Sequence, residues 1–466
     1  MKAGNIIPAF SLSKCKERGK VLKKITAIFL LLLFCLCGCD FTQTSVDTLM
    51  KPPTFSKVQE EISAVMKADP EVKNVSLVYP KSGDYRSAYV IENIDQEPSQ
   101  EALVFYREAS TVTGTINAIK INVLDQIIDK DGKSRWVSRL ISNEINANSI
   151  DKVSIVEEDN RYYIIIGFNL INADANGNSK ELKVFSYEET TEQGFQLVNK
   201  TNVSCMGYQV YDMNADGKDE IIAIVSSVQG EAKTITANLY THEQNQFVHK
   251  NRTTPLETSV TEYTGIYKGI LENGERALYL DGLSGKELGT EILGMQGDYI
   301  VNLVPDGERN LWELTNRPSE FNCIDLNQDH IYEIPKWLNT QSSDTQLDRI
   351  SWSHYVDRSL ITYLNTYTDY SLGYRLEIPQ DWMDTVGTKR DSITNETTFF
   401  IYNPENWQDD SNKILKIKVQ TSKDLPMGYH LLETNGELIY AYQIYGSREK
   451  SYQITESDLK RWFRHL

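Results

Sequence analysis

The chain has 466 residues, with 48 Lys and Arg set against 65 Asp and Glu, and a formal charge of −17. Residues 1–38 carry +6, which leaves −23 on residues 39–466. A surface that acidic excludes nucleic acid and anionic headgroups as main partners, because both require a basic face. Only Cys205 and Cys323 lie beyond Cys39, which excludes a disulfide-stapled scaffold. Whether those two pair or stay as separate buried thiols is open.

Lys20, Lys23 and Lys24 precede an apolar run from Ile25 to Phe34, which ends on Leu36-Cys37-Gly38-Cys39. A basic segment, a short apolar core and a small-residue site predict a secretory signal peptide over 1–38. The core is too short to span a bilayer as a mature helix. Its ending resembles a bacterial lipobox. That resemblance implies cleavage before Cys39, acylation of Cys39 (palmitate among the chains) and a lipid anchor on the extracytoplasmic face of the cell membrane.

Residues 39–69 read as the lipidated Cys39, a polar tether with a Pro-Pro pair and one short helix. That helix covers 55–68, with Phe55, Val58, Ile62 and Val65 on one face. From residue 70 the texture changes to strands. Short apolar or alternating runs such as Ala102–Tyr106, Tyr162–Phe168, Leu182–Tyr187, Ile221–Val225 and Thr234–Tyr240 are bounded by Gly, Asn, Asp or Glu clusters. That spacing predicts antiparallel hairpins and a mainly β protein, with no long helices to support parallel strands. Around residue 370 the texture shifts again. A strand stopped at Pro379, clean alternation at Thr398–Tyr402 and Ile414–Val419, and a closing helix capped by Ser457 predict a small α+β domain over 369–466.

The strongest chemical motif runs from Asp212 to Glu220. Asp212, Asn214, Asp216 and Glu220 fall at positions 1, 3, 5 and 9, Gly217 stands at the sharp turn, and the Lys218 carbonyl would point inward. A short loop wraps Ca²⁺ this way, because the ion takes six to eight oxygens. The spacing recurs at Asp325, Asn327, Asp329, Ile331 (through its carbonyl) and Glu333, with His330 replacing the Gly. Weaker echoes lie at Asn93–Glu101 and Asn172–Glu181. In all four an acidic residue is followed at once by an apolar run, a recurrence that marks a repeat architecture. The competing reading is a set of acidic hairpin turns without metal, since Asn, Asp and Gly favour turns in any case.

Because these loops feed strands and not helices, the pattern is similar to the calcium loops of FG-GAP and VCBS repeats. It also looks like the propeller-bearing lipoproteins of Firmicutes. The resemblance covers 70–368 and implies a β-propeller of about 5–7 blades with structural Ca²⁺. Gly373-Tyr374-Arg375-Leu376-Glu377-Ile378-Pro379 with Asp381-Trp382 resembles the opening of PsbP-like or Mog1-like domains, which implies a binding or assembly module at the C-terminus.

No Gly-x-Ser-x-Gly elbow, His-Glu-x-x-His or phosphate loop is present. Gly282–Lys286 reads as a turn. Ser457 and Lys460 match a serine–lysine pair but are better read as a helix start. His242 and His249 flank a Gln-Asn turn and are expected on paired strands. The expectation is therefore an anchored, non-enzymatic binding or scaffold lipoprotein with an unidentified protein or glycan partner. The alternative is a cell-envelope hydrolase acting on glycan or peptide, marked by acidic or His side chains converging at the propeller centre.

Overall fold

The computed structural model describes residues 56–70, 72, 75–108, 118–191, 194–308, 310–319, 321–338, 348–402 and 410–466. The signal peptide, Cys39 and the tether lie outside the described residues. Among those described, no helix is long and apolar enough to cross a membrane.

The protein is mainly β, as its alternating runs predict. Among the described residues the strands form six antiparallel sheets of four or five strands, laid down nearly in chain order. The first holds Val75–Leu77, Tyr89–Glu92, Glu101–Glu108, Lys120–Ile128 and Ser134–Ile141; the second Ser149–Glu158, Arg161–Asn169, Lys180–Thr190 and Gly194–Cys205. The third holds Gly207–Tyr211, Glu220–Gln229, Ala232–Glu243 and Gln246–Leu256; the fourth Glu262–Ile270, Arg276–Ser284, Glu287–Gln296, Tyr299–Asn302 and the short Arg317–Pro318. The fifth holds Ile334–Trp337, Asp348–Val356, Ser359–Asp369, Tyr374–Ile378 and Phe463–His465; the sixth Val386–Asp391, Glu396–Ile401, Lys413–Gln420, His430–Asn435 and Leu438–Ile444.

Tight hairpins join neighbours. Asp159-Asn160, Gln244-Asn245 and Asp357-Arg358 each place two successive residues at positive φ, the backbone of a type I′ turn whose twist matches the flanking strands. The Gln244-Asn245 turn sets His242 opposite Phe247 and Tyr240 opposite His249, so both histidines do lie on paired strands.

Period-two alternation then decides the packing. In the strand after the acidic loop, Ile221 and Ala223 face the second sheet beside Ile165 and Val184. Their neighbours Ile222 and Ile224 face the fourth beside Leu278 and Leu280. A strand buried on both faces reads as a continuous apolar run for this reason. Similar apolar layers join the first sheet to the second (Phe105 and Val123 with Ile166), the fourth to the fifth (Tyr279 with Ile334) and the fifth to the sixth (Leu376 with Phe399). Each fully buried Ile or Leu contributes about 1.5–3 kcal/mol.

The helix Lys57–Ala68 buries Ile62 and Met66 in the core of the first sheet with Tyr106 and Trp136, while Val58 of the expected face is exposed. The closing helix Glu456–Trp462 starts two residues earlier than a Ser457 cap implies. Thr455, not Ser457, is its cap: the Thr455 side chain accepts from Asp458 N–H, and the Asp458 carboxylate accepts from Thr455 N–H in return. Lys460 pairs with Glu456 at 2.6 Å, and Gly285 occupies a hairpin turn with φ 62°. Across residue 369 the chain stays in one sheet, because Ser359–Asp369 pairs with Tyr374–Ile378.

Cys205 and Cys323 are both buried and free. The aromatic residues clustered in sequence near the fifth sheet disperse in space. Trp352, Tyr355 and Tyr367 enter three separate cores, and Tyr363 and Tyr370 are exposed.

Candidate functional site

Three of the four acidic loops are built alike. Asp212–Glu220 joins the first two strands of the third sheet. Asp212 Oδ1 accepts Asp216 N–H at 3.1 Å and Oδ2 accepts Gly217 N–H at 2.9 Å, while Asp216 Oδ1 accepts Lys218 N–H at 2.9 Å. The loop closes where Glu220 Oε2 accepts Met213 N–H at 2.8 Å. Asp325–Glu333 repeats this contact for contact, with Asp325 accepting from Asp329 and His330, Asp329 from Ile331 at 2.8 Å, and Glu333 Oε2 from Leu326 at 2.8 Å. Asn93–Glu101 closes in the same way, through Ile94 N–H to Glu101 Oε2 at 2.8 Å.

The shared geometry has a shared backbone cause. Position 4 adopts positive φ in each loop (Gln96 73°, Ala215 61°, Gln328 64°). Position 6 is Gly217 at 88° in one and His330 at 70° in another. His330, standing where the other loop has Gly, thus holds a left-handed backbone that favours glycine. The fourth loop differs. Glu181 pairs with Lys183 at 2.7 Å instead of closing the turn, and Asp174 takes over by accepting Asn176 and Asn178 N–H.

The two predicted metal sets therefore lie on different sheets, each gathered within its own loop. Their carboxylate, amide and backbone oxygens are the donor type a hard cation takes. The loop amides satisfy many of these oxygens, and Asp212 Oδ2 also pairs with Arg276 at 2.7 Å. Burial pushes the Glu220 carboxyl up to about 7.

Glu333 has a second contact. Its Oε1 lies 3.2 Å from His354 Nε2, and His354 Nδ1 lies 2.9 Å from Glu272 Oε1. Burial opposes charge on this imidazole, but the hydrogen bonds to Glu333 and Glu272 outweigh it and hold His354 above its ordinary value. Tyr363 stacks on the ring, with centroids 4.6 Å apart.

A different convergence forms between sheets. Ser149–Glu158, Gly207–Tyr211 and Glu262–Ile270, the first strands of the second, third and fourth sheets, line one cavity of about 500 Å³ together with Ser82, Gly83 and Asp84. Lys152, Lys180 and Lys268 all line it, in a chain of charge −17. Lys180 pairs with Asp151 at 2.9 Å. Lys152 Nζ donates to Gln209 Oε1 at 2.6 Å and to the Tyr208 carbonyl at 3.2 Å, and it stands 4.6 Å from the Tyr208 ring centre. Gln209 is held in turn by donating to the Ile266 carbonyl at 3.1 Å. Burial pulls the Lys152 ammonium down to about 8, with Lys268 and Lys180 acting in the same sense and Asp151 against it. Gly167 permits this arrangement, since a Cβ there would stand 1.9 Å from the Tyr208 hydroxyl.

Sequence reasoning missed the lysine cavity. Lys152-Val153-Ser154 alternates like any half-buried strand, and no spacing in the chain relates it to Gln209 or Lys268. Lys152 and Lys268 each lie on the first strand of their sheet, a recurrence visible only once the strands are grouped into sheets.

No protein-family model matches the chain, and no curated protein sequence matches it. Among solved structures, the rhamnogalacturonan lyase PL11 of Bacillus licheniformis is similar over 71% of this chain and 75% of its own, at 11% identity and a TM-score of 0.29. The rhamnogalacturonan lyase YesW is similar over 70% of this chain and 74% of its own, at 9% identity and a TM-score of 0.28. The Trypanosoma rangeli sialidase bound to DANA is similar over 79% of this chain and 58% of its own, at 9% identity and a TM-score of 0.26. These identities transfer no residue role. Set against the expected non-enzymatic binding or scaffold role, with no enzymatic activity, most of these similar structures are enzymes by name: rhamnogalacturonan lyases, a polysaccharide lyase, sialidases and a mannose phosphorylase, beside a Lactobacillus plantarum protein whose name gives no activity.

Proposed function

We propose that this chain is an extracytoplasmic enzyme acting on an anionic glycan, anchored to the membrane through Cys39, with its reaction centre in the Lys152 cavity. The observation that carries the reading is the set of three lysines around one cavity in a strongly acidic protein. Lys268 and Lys180 would receive a sugar carboxylate. Lys152, fixed by Gln209 and the Tyr208 carbonyl and titrating near 8, is suited to take a proton from the carbon next to that carboxylate. With that proton removed, a double bond forms in the sugar as the glycosidic C–O bond breaks, and the leaving oxygen takes a proton.

The wider architecture fits this reading. First strands from successive sheets meeting at one cavity, with apolar layers between the sheets, support the FG-GAP/VCBS-like propeller. The sixth sheet and the closing helix support a PsbP/Mog1-like module over 369–466.

The test is incubation of the full chain with uronate-bearing polysaccharides. Elimination is read as ultraviolet absorbance of the new double bond, and hydrolysis as reducing ends without that absorbance. Activity that disappears in Lys152→Met while the melting curve is unchanged supports the cavity as the reaction centre. Activity that survives in Lys152→Met sinks it.

A further inference from the structure

The first sheet contains a carboxylate cluster that neither predicted metal loop includes. Asp95 lies in the loop that Glu101 closes, and Asp125 comes from the next strand, Lys120–Ile128, where it is the direct cross-strand partner of Glu101. Oxygens of Asp95, Glu101 and Asp125 all lie within 4.8 Å of one another. Opposite ligands of one Ca²⁺ stand up to about 5 Å apart, twice the ordinary Ca–O distance.

Three acidic residues alone establish nothing. The second observation is Glu101 itself. It is only 1% exposed, one oxygen accepts Ile94 N–H at 2.8 Å, and the other, Oε1, is buried without any hydrogen-bond partner. An orphaned buried carboxylate oxygen costs more than almost any other polar atom. Its neighbours cannot satisfy it as carboxylates, since ionised carboxylates only accept hydrogen bonds.

The charge balance points the same way. Asp125 is tied by Arg139 Nε at 2.7 Å and by the Tyr187 hydroxyl at 3.0 Å. With all three carboxyls ionised, one guanidinium would face three carboxylates and leave two negative charges for a cation to match. Each Asp125 oxygen still has a free lone pair after its single hydrogen bond. We propose that Asp95, Glu101 and Asp125 bind a hard divalent cation, of which Ca²⁺ is the natural probe, with Glu101 Oε1 as its most buried ligand. The site would pin the turn between Tyr89–Glu92 and Glu101–Glu108 to the strand beyond. It stands apart from the glycan reading, which rests on the second, third and fourth sheets.

The experiment is calorimetric titration of the EDTA-stripped full chain with Ca²⁺, first with Asp216→Ala and Asp329→Ala both present to silence the other two loops. That background is expected to retain one bound Ca²⁺, and Glu101→Gln added to it to abolish binding. Asp95→Asn, in a half-buried loop position that tolerates the change, serves the same purpose where Glu101→Gln does not fold. Absence of Ca²⁺ binding in the background chain overturns the site, and so does wild-type binding in Asp95→Asn and Glu101→Gln.

Discussion

Glu333 closes its own loop with one carboxylate oxygen, 2.8 Å from Leu326 N, and holds His354 with the other, 3.2 Å from Nε2. One fully buried side chain thus links an acidic turn to the strand Asp348–Val356. The pairing favours the charged imidazole in the folded state. A folded pKa above the ordinary ~6.5 stabilises the fold fully below that value and loses the contribution as pH rises through the raised one. His354→Gln should therefore narrow its stability deficit as pH rises above about 6.5. Removing the ring leaves Glu333 Oε1 unsatisfied, at a cost of roughly 1–3 kcal/mol at low pH. Urea midpoints for both proteins across pH 5 to 9 check this; a deficit that stays constant with pH contradicts it.

The acidic loops predict an opposite sensitivity to metal. Burial raises Glu220 to about 7 and Glu101 to about 8. A carboxylic acid with a raised folded pKa supports the fold fully below its unfolded value and loses that support as pH climbs through the folded one. Metal-free protein should lose stability between about pH 4.5 and about pH 8, and Glu220→Gln should lose less of it. Ca²⁺ should restore the wild type, because a ligand bound only by the folded state stabilises it by about 2.7 kcal/mol at a hundredfold excess over Kd. Melting curves in EDTA and in Ca²⁺ read this directly. Identical curves would make the loops plain acidic turns.

What could be read in the sequence follows from the range of the interactions. The loop at Asp212–Glu220 is closed locally: the hydrogen bonds from Met213, Asp216, Gly217 and Lys218 N–H to its own side chains span at most seven residues, so its spacing announces it. Distant residues tie it further, Glu158 by accepting Asp219 N–H and Arg276 by reaching Asp212 from another sheet. The His242–His249 hairpin is local in the same sense. The strands Ser134–Ile141, Glu262–Ile270 and Glu287–Gln296 had no clear signal, because their polar residues are matched by distant ones. Glu291 is buried against Asn302 at 2.8 Å and Glu257 N–H at 3.1 Å. Thr455 and Ser457 are both good cap residues two positions apart, and only the reciprocal Asp458 contact separates them. Lys152 meets Gln209 across 57 residues, a separation no motif encodes.

Asp281 and Arg317 form an ion pair 2.8 Å long with both side chains fully buried. Asp281 also accepts Thr290 Oγ1–H at 2.8 Å and Cys323 N–H at 2.7 Å. Breaking such a pair strands the other charge, so Asp281→Ala should cost about 3–5 kcal/mol. Replacing both partners with apolar residues, Asp281→Leu with Arg317→Met, should recover much of that loss, since no charge is then left unpaired. A double variant no more stable than Asp281→Ala would place the energy in the Thr290 and Cys323 contacts.

Lys152 makes the proposed chemistry dependent on pH in a defined direction. A base must be neutral to take a proton, and burial brings Lys152 to about 8. Turnover on an anionic glycan should therefore rise as pH increases through about 8 and level off above it. The cause can be separated from the binding of the sugar. Lys268→Gln removes a neighbouring positive charge that helps hold Lys152 down, so it should shift the midpoint of the profile upward as well as weaken KM. Gln209→Leu removes the oxygen 2.6 Å from Nζ that fixes the amine, and should reduce kcat with little change in KM. A profile that is flat from pH 7 to 10, or one whose midpoint ignores Lys268→Gln, would take the proton-accepting role away from Lys152.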